Sequence, residues 1–409
     1  MGGMIWYEWK KIWGSRLTQL SVLGCALFFL FGAWSNVSQI FAEDEQGNMV
    51  TGIQAEEILK QVQKNQVLTQ EHIEGIMQEY LDEAERIYEE EDDPEAASDL
   101  VRKTVYMPRK DLYDLIARAY DNWAGTETIA VFQENLGRDF YQARREAGKA
   151  YTARLEMQGV VTAEEAAYWN ARNASVEEYS YGYRKGWECV LNNMPWGILI
   201  MMIVCVGTAP VFAGEYQSKC DSLFLCMKYG KNRLPMAKII AAWLYASLVY
   251  LGITLLWSGV ILFFLGAQGW ELPVQLLRAS SAPASYNVTF GQAFLLELLL
   301  GYVLTLSIMA VTLWMSSVFK NPYGVIVAAF LLLIVPTFLL LAGQGYVLYH
   351  ILSLLPAKIM DFTFFDYTAY SVGGKVLSCL SADLIVNGAA AVLFSAAGYG
   401  MFRRHQVNQ

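Results

Sequence analysis

The chain has 409 residues, 55% hydrophobic and 17% charged, with a formal net charge of −9 and a mean hydropathy of +0.28. That balance points to a membrane setting, and the acidity argues against a nucleic-acid surface. The charge is uneven: Glu43 to Glu188 holds 31 acidic and 16 basic residues, a net of −15, while the remainder nets +6, so an acidic soluble insert is set into a basic membrane part.

Residues 1–16 carry Ile5, Trp6, Trp9, Ile12 and Trp13 at helical spacing, with Glu8, Lys10 and Lys11 between them. Indole rings favour the headgroup zone and lysines favour anionic lipid, so this reads as an interfacial helix. Residues 17–34 are an apolar run fit for a first span, since about 20 helical residues cross a bilayer core. A signal peptide is disfavoured, because the run is long for an h-region and bulky Ile40 precedes the nearby alanine site.

Residues 42–193 read as a compact helical domain. EEILKQVQ, EHIEGIMQEYLDEAERIYEEE and DLYDLIARAY repeat apolar residues at three- and four-residue spacing. Asp93-Pro94 and Met107-Pro108 mark breaks, Gly125, Gly137 and Gly159 mark turns, and strand-like alternation is scarce. The acidic run Glu89 to Asp93 is a solvated helix end and lacks the spacing of a calcium loop.

Residues 196–212 form the second span, behind Pro195. A polar connector, residues 213–236, follows, and the stretch from Phe212 to Lys238 holds Lys219, Lys228, Lys231, Arg233 and Lys238. As one helix it sets Tyr216, Cys220, Leu223, Phe224 and Met227 on one side, with Glu215 and Lys219 as an i,i+4 pair. Such a helix is expected to lie flat on a membrane surface with its charges up, where a soluble partner can grip it and move two spans together.

Residues 237–266 form a third span, longer than needed and therefore tilted or projecting. A short polar loop, 268–291, leads to the fourth span, residues 292–318, which carries Glu297. Lys320-Asn321-Pro322 is a tight turn, residues 323–341 are the fifth span with Pro336 inside it, and residues 384–402 are the sixth, ended by Arg403 and Arg404. Between these last two, residues 342–383 contain YVLYHILSLLP, too short to span, and the aromatic DFTFFDYTAY. The first piece reads either as a re-entrant helix or as a plain surface helix, broken at Pro356.

Six spans bring both termini to one side. That side receives Lys10, Lys11, Arg16, the connector's five cations, Lys320, Arg403 and Arg404, whereas the short loops of the other hold Arg278, Lys358 and Lys375. The positive-inside bias then puts both termini and the connector in the cytoplasm of a multi-pass plasma-membrane protein, with the acidic domain outside. The expected fold is therefore all-α, six-span, with a large helical extracytoplasmic insert between spans one and two.

Enzymatic constellations are scarce. HExxH, GxSxG and GxxxxGK[ST] are absent, and His72, His350 and His405 are far apart. The six cysteines form no metal-type spacing; Cys189 and Cys379 lie near the insert side, where a disulfide and two separate thiols both stay open. Glu297 is the main ionisable residue inside a span and so a pathway candidate, although its place near the outer end favours snorkelling to the interface. Asp383 is read as interfacial.

The order of these parts resembles the permease subunit of type-2 ABC exporters, the ABC-2 family, with a larger outer insert than minimal members have. The resemblance rests on Phe212, Glu215 and Tyr216 leaving span two, then Leu223, Leu225, Lys228, Tyr229, Gly230, Arg233 and Lys238 entering span three. In that family this segment resembles the coupling helix that docks on the ATP-binding subunit, which implies contacts at Glu215, Tyr216, Leu223, Phe224, Lys228, Tyr229, Gly230 and Arg233. It also implies a separate cytoplasmic ABC ATPase carrying ATP and Mg, no cofactor on this chain, and a dimer with a second permease copy or paralogue. Alternating access moving a peptide, antibiotic or lipid-like cargo follows from the same likeness. A membrane-anchored sensor or scaffold whose outer domain binds a ligand is the alternative, and a membrane enzyme is the weakest reading.

Overall fold

The computed structural model describes residues 1–409 apart from 44–47, 121–126, 278–282, 340–344, 361 and 405–409, and apart from the side chains of 221, 222, 225 and 359. The turn at Gly125, Arg278, His405, the end of the fifth expected span and the Leu225 side chain therefore lie outside the described residues.

Helix α1 (Gly2–Trp13) is followed by α2 (Arg16–Ser38), whose cap Ser15 accepts the Thr18 amide at 3.5 Å. Strands β1 (Phe41–Glu43) and β2 (Met49–Thr51) form a hairpin that leads into α3 (Ile53–Val62) and β3 (Gln66–Leu68). The inserted domain continues with α4 (Gln70–Glu90), α5 (Pro94–Val101), α6 (Lys110–Tyr120), α7 (Thr128–Asn135), α8 (Phe140–Met157) and α9 (Ala163–Ala174). Its helices start where the chain supplies caps: Asp93 accepts the Glu95 amide ahead of Pro94, and Thr162 and Glu165 form a reciprocal capping box. The buried side of α4 is Ile73, Ile76, Met77, Tyr80, Ala84 and Ile87, the spacing expected of an amphipathic helix. Strand β4 (Tyr179–Tyr181) then pairs antiparallel with β3, so the chain leaves the domain beside its point of entry. The β1–β2 hairpin and the β3–β4 pair are a departure from the expected all-helical insert, each only three residues per strand.

The bundle comprises α2, then α10 (Lys185–Asn193), α11 (Gly197–Thr208) and α12 (Pro210–Gln217) in near-continuous line, α14 (Arg233–Leu265), α15 (Phe290–Val318) and α19 (Cys379–Arg404), with short α13 (Asp221–Cys226) between α12 and α14. Among the described residues, five helical stretches are long and apolar enough to cross a membrane: Arg16–Ser38, Lys185–Gln217, Arg233–Leu265, Phe290–Val318 and Cys379–Arg404. The second begins well before residue 196, because α10 packs on α14 and α15 and belongs to the bundle rather than to the insert. The expected fifth span is shorter: α16 (Pro322–Ile334) gives way to a 3-10 turn at Val335–Phe338, where Pro336 lacks the amide hydrogen a helix needs. Helices α17 (Tyr346–Ser353) and α18 (Pro356–Ile359) fold back beside it, and Lys358 Nζ donates to Thr337 O at 3.2 Å. Strands β5 (Ala369–Val372) and β6 (Lys375–Ser378) form a hairpin leading into α19.

Helix α15 is the central post, packed against α11, α12, α14, α16 and α19. Small residues permit this closeness. A Cβ at Gly301 would collide with the Tyr250 hydroxyl of α14, and one at Gly207 of α11 would collide with Tyr245.

At the insert end, the α14–α15 segment is not a simple polar loop. Arg184, 1% exposed, donates to Asp111 Oδ2 at 2.6 Å and Leu276 O at 3.0 Å, and its Nε pairs with Glu188 Oε1 at 2.9 Å. Trp169 of α9 packs 5.4 Å from both Tyr286 and Tyr367, and Tyr286 lies 5.6 Å from Phe362 and Phe364. The aromatic run after α18 therefore closes a core shared by the insert and the α14–α15 segment. Asp383 is buried rather than interfacial, accepting from Cys379 Sγ at 3.3 Å and Asn387 Nδ2 at 3.4 Å. All six cysteines are free, so Cys189 and Cys379 do not pair.

Gly301→Ala and Gly207→Ala are expected to destabilise the bundle by about 1–3 kcal/mol each through overpacking. Gly252→Ala, whose Cβ meets nothing within 4 Å, is expected to be neutral or to stabilise by up to about 1 kcal/mol through helix propensity. Thermal unfolding of the detergent-purified variants checks the contrast, and matching midpoints would rule out the close crossings.

Candidate functional site

The site lies at the end of the bundle where both chain termini meet the α12–α14 connector. The line from α11 to α12 is interrupted at Pro210. Ser316 of α15 answers the interruption: its Oγ donates to Ala209 O at 2.6 Å and accepts from the amides of Phe212 at 3.1 Å and Ala213 at 3.0 Å. A hydroxyl inserted into a helical ladder is a recognised cause of bending. Beyond it, Phe212 packs 5.0 Å from Phe402 of α19, and Tyr216 Oη donates to Ser317 O at 3.2 Å.

Below this bend sits a buried cluster of charge. Lys238, on the first turns of α14, is fully buried; its Nζ lies 2.7 Å from Glu8 Oε2 of α1 and 2.5 Å from Glu215 Oε1 of α12. Lys11 Nζ reaches the same Glu215 oxygen at 3.1 Å from a half-exposed position. Burial works against the Lys11 charge, but the Glu215 and Glu8 carboxylates outweigh it and hold the ammonium above its ordinary value. Helix α1, distant in the chain, and the neighbouring helices α12 and α14 are thus tied by two cations and two carboxylates. Helix α1 presents Glu8 and Ile12 to the bundle and leaves Trp6 and Tyr7 exposed.

The connector itself is two short pieces, not the single expected helix. The α12 helix stops at Gln217, Lys219 turns the chain with φ +56°, and α13 is only six residues long before the turns of 227–232. Gly230 is buried against the Phe224 carbonyl, where a Cβ would collide. Leu223, Met227 and Tyr229 are exposed, as are Lys228, Lys231 and Arg233. The Arg233 guanidinium stacks 4.3 Å from the Tyr229 ring centroid, and Lys228 lies 5.5 Å from the same ring. Lys11 approaches the Phe224 ring at 5.9 Å, so the connector rests on the same cation that closes the buried cluster.

The eight expected contact residues therefore divide. Leu223, Lys228, Tyr229 and Arg233 share an exposed knob, and Phe224 is half-buried under it. Glu215, Tyr216 and Gly230 are buried and build the support. Glu215 faces Lys11 and Lys238 in place of the expected surface pair with Lys219, and Lys238 is interior rather than a surface cation. Glu297 is elsewhere, about 28 Å up α15 from Ser316 at 1.5 Å per residue. It is only 8% exposed, with Oε2 unpartnered among the described residues, so it does not snorkel. Sequence reading missed the joint role of Glu8, Lys11 and Lys238. The signal was present in Glu8, the one acid of α1, which stands three and four residues from Ile5 and Ile12 on the apolar stripe. Among the described residues no group of His, Cys, Asp and Glu is arranged to hold a metal ion. Comparison with known protein families finds no model that matches the chain, and comparison with curated proteins finds no match.

Lys238→Met is expected to destabilise the protein by about 3–5 kcal/mol, because two carboxylates stay buried without their shared partner. Adding Glu8→Gln and Glu215→Gln to that variant is expected to recover most of the loss. The thermal midpoints of the single and triple variants measure this, and an undisturbed single variant would contradict the burial of the cluster.

Proposed function

We propose that this chain is the transmembrane permease subunit of an ATP-driven exporter of the ABC-2 type, working with a separate cytoplasmic ATPase. The observation that carries the reading is the mechanical continuity of the connector. An exposed knob of Leu223, Lys228, Tyr229 and Arg233 rests on Phe224 and Lys11, and through Lys11 on an ion cluster tying α1, α12 and α14. A force applied to the knob is therefore delivered to three helices together, as a subunit driven from outside the bundle requires. The bend at Pro210, held by Ser316, gives that force a place to act on the second span.

In this reading the ATPase closes on ATP and Mg, the knob moves with it, and the bundle rocks against a second permease copy or paralogue. The insert then faces the exterior, and a peptide, antibiotic or lipid-like cargo crosses between the two halves. The sensor reading draws on one feature of the insert: a cavity of about 420 Å³ bordered by Tyr80, Tyr106, Lys110, Asp114 and Arg118. Ligand binding by the full chain without any ATPase stimulation would favour it.

Two measurements test the proposal. Copurification with an ATP-binding subunit is expected, and Tyr229→Ala and Arg233→Ala are each expected to weaken it about tenfold or more, as loss of an interface anchor does. Normal assembly and ATP-dependent transport in both variants would overturn the docking site. Sidedness has native reporters, because Cys220 and Cys226 are exposed while Cys25, Cys205 and Cys379 are buried. An impermeant maleimide should reach Cys220 and Cys226 only after permeabilisation, and should reach a Glu95→Cys variant in intact cells; the reverse pattern would sink the exporter reading.

A further inference from the structure

The cavity of about 420 Å³ in the inserted domain opens between α4, α5, α6 and α7. The chain bends around it: α5 passes into a π turn at Arg102–Tyr106 and a 3-10 turn at Met107–Arg109 before α6 begins. Such π turns are rare and recur at functional sites. Charge is gathered here against the trend of the domain. Residues 102–118 hold five basic and two acidic residues, a net of +3, inside an insert that nets −15. Hydrogen bonding around the wall leaves donors over and no matching acceptors. Asp114 is engaged at both oxygens: Tyr106 Oη donates to its Oδ1, and Lys110 Nζ and Arg118 Nη2 lie 3.1 and 3.9 Å from its Oδ2. Lys110, a third exposed, also donates to Tyr106 Oη, which leaves one of its three N–H bonds for a further acceptor. The Tyr80 side chain is 4% exposed, and its hydroxyl makes no hydrogen bond among the described residues, yet its oxygen stays reachable from the cavity. Burial first, then the neighbouring tyrosines and Glu127, pushes that phenol up to about 12, so it remains a donor at neutral pH.

We infer that this cavity binds a small aromatic carboxylate, with the carboxylate oxygens accepting from Lys110 Nζ and the Tyr80 hydroxyl. The wall chooses that class. A largely buried donor without a partner is unfavourable, so the occupant must bring acceptor oxygens. One of the two open donors carries charge, and Arg102, Lys110 and Arg118 outnumber Asp114 and Glu127 around the cavity, so the occupant is an anion. Glu127 opposes it from an exposed position, where water and salt weaken its field. The rest of the lining includes Val101, Ala117 and Ile129 beside the rings of Tyr80, Tyr88 and Tyr106. Such a surface receives an apolar body, and a ring packs well on tyrosines edge to face or offset. The volume falls within the roughly 300–1,000 Å³ of a pocket that encloses a small molecule. A free acid and the carboxyl end of a peptide share this chemistry. The inference needs only the fold of the insert and does not rest on the exporter reading, so loss of one does not entail loss of the other.

The test compares two probes that differ in charge at one end. Detergent-purified full-length protein is titrated calorimetrically at neutral pH with 3-phenylpropionate and with 3-phenylpropionamide. The acid is expected to bind about tenfold or more tightly than the amide, the worth of a charge-assisted hydrogen bond over a neutral one. Lys110→Met is expected to remove that discrimination. Tyr80→Phe keeps the ring and removes the hydroxyl, and it is expected to weaken both probes about three- to tenfold, because the amide oxygen accepts from the same phenol. Lys103→Met, a cation of the same stretch that pairs with Asp99 and does not line the cavity, is expected to leave both affinities unchanged. An acetylated tripeptide ending in phenylalanine separates the two sources of the ligand. Binding as tight as that of phenylpropionate assigns the site to a peptide end, and binding tenfold weaker assigns it to a free acid; either keeps the assignment. No binding of the acid by the unaltered protein, equal binding of acid and amide, or a preference that survives Lys110→Met overturns it. So does a loss in Lys103→Met as large as that in Lys110→Met, which would reduce the effect to the general field of the stretch.

Discussion

An ammonium group taken out of water without an opposite charge costs several kcal/mol, and two carboxylates buried without a cation cost more. Lys238, Glu8 and Glu215 are all buried, so none of the three is tolerable without the other two. That mutual requirement fixes where α1 lies. Its apolar stripe would fit many places along the bundle, but only one position brings Glu8 to Lys238. The same requirement holds the first turns of α14 against the end of α12, and so determines the geometry of the connector joining them. Lys11 completes the arrangement from the half-exposed side, where it meets both Glu215 and the Phe224 ring.

The two ends of the bundle are held by different physics. At the termini end the joints are ionic and directional, with the hydroxyl of Ser316 spliced into the bend at Pro210. At the insert end they are largely aromatic: Trp169, Tyr286, Phe362, Phe364 and Tyr367 meet in one core contributed by three separate stretches of chain. Arg184 adds a polar joint there, held by two carboxylates and the carbonyls of Leu276 and Gly182. Between the ends, α15 passes its neighbours closely because Gly301, and Gly207 on α11, leave room for tyrosines. In the proposed exporter this division lets a directional joint receive force while a broad apolar joint keeps the insert and the far loops moving as one.

Hydrophobic run length and helical spacing made much of the architecture legible. The apolar stretches of α2, α14, α15 and α19 are plain, because a helix that is apolar nearly all round has few other places to go. The insert's helices could be read from the spacing of residues such as Ile73, Met77 and Tyr80, and the break at Asp93-Pro94 fell where the cap and ring chemistry put it. The exposed cations of the candidate site, Lys228 and Arg233, were also readable, because a charged stretch between apolar runs must face water, whereas Leu223 was expected on the apolar side and is exposed instead. The hairpins of 41–51 and 369–378 were not legible. Their strands are too short to show alternation, and their pairing depends on what they pack against.

By itself the sequence determined that the chain is largely helical, that it carries several long apolar stretches, read as six spans where five helices among the described residues are long and apolar enough, and that an acidic helical domain interrupts them early. Each of these follows from local pattern, since composition and periodicity act within a few turns of chain. Only the tertiary structure decided that Lys238 is interior, that Glu215 serves it rather than Lys219, that α10 belongs to the bundle, and that Glu297 and Asp383 are buried. The reason is separation: Glu8 and Lys238 stand 230 residues apart. A local pattern states that a charge needs compensation, and only the packed chain states which distant charge supplies it.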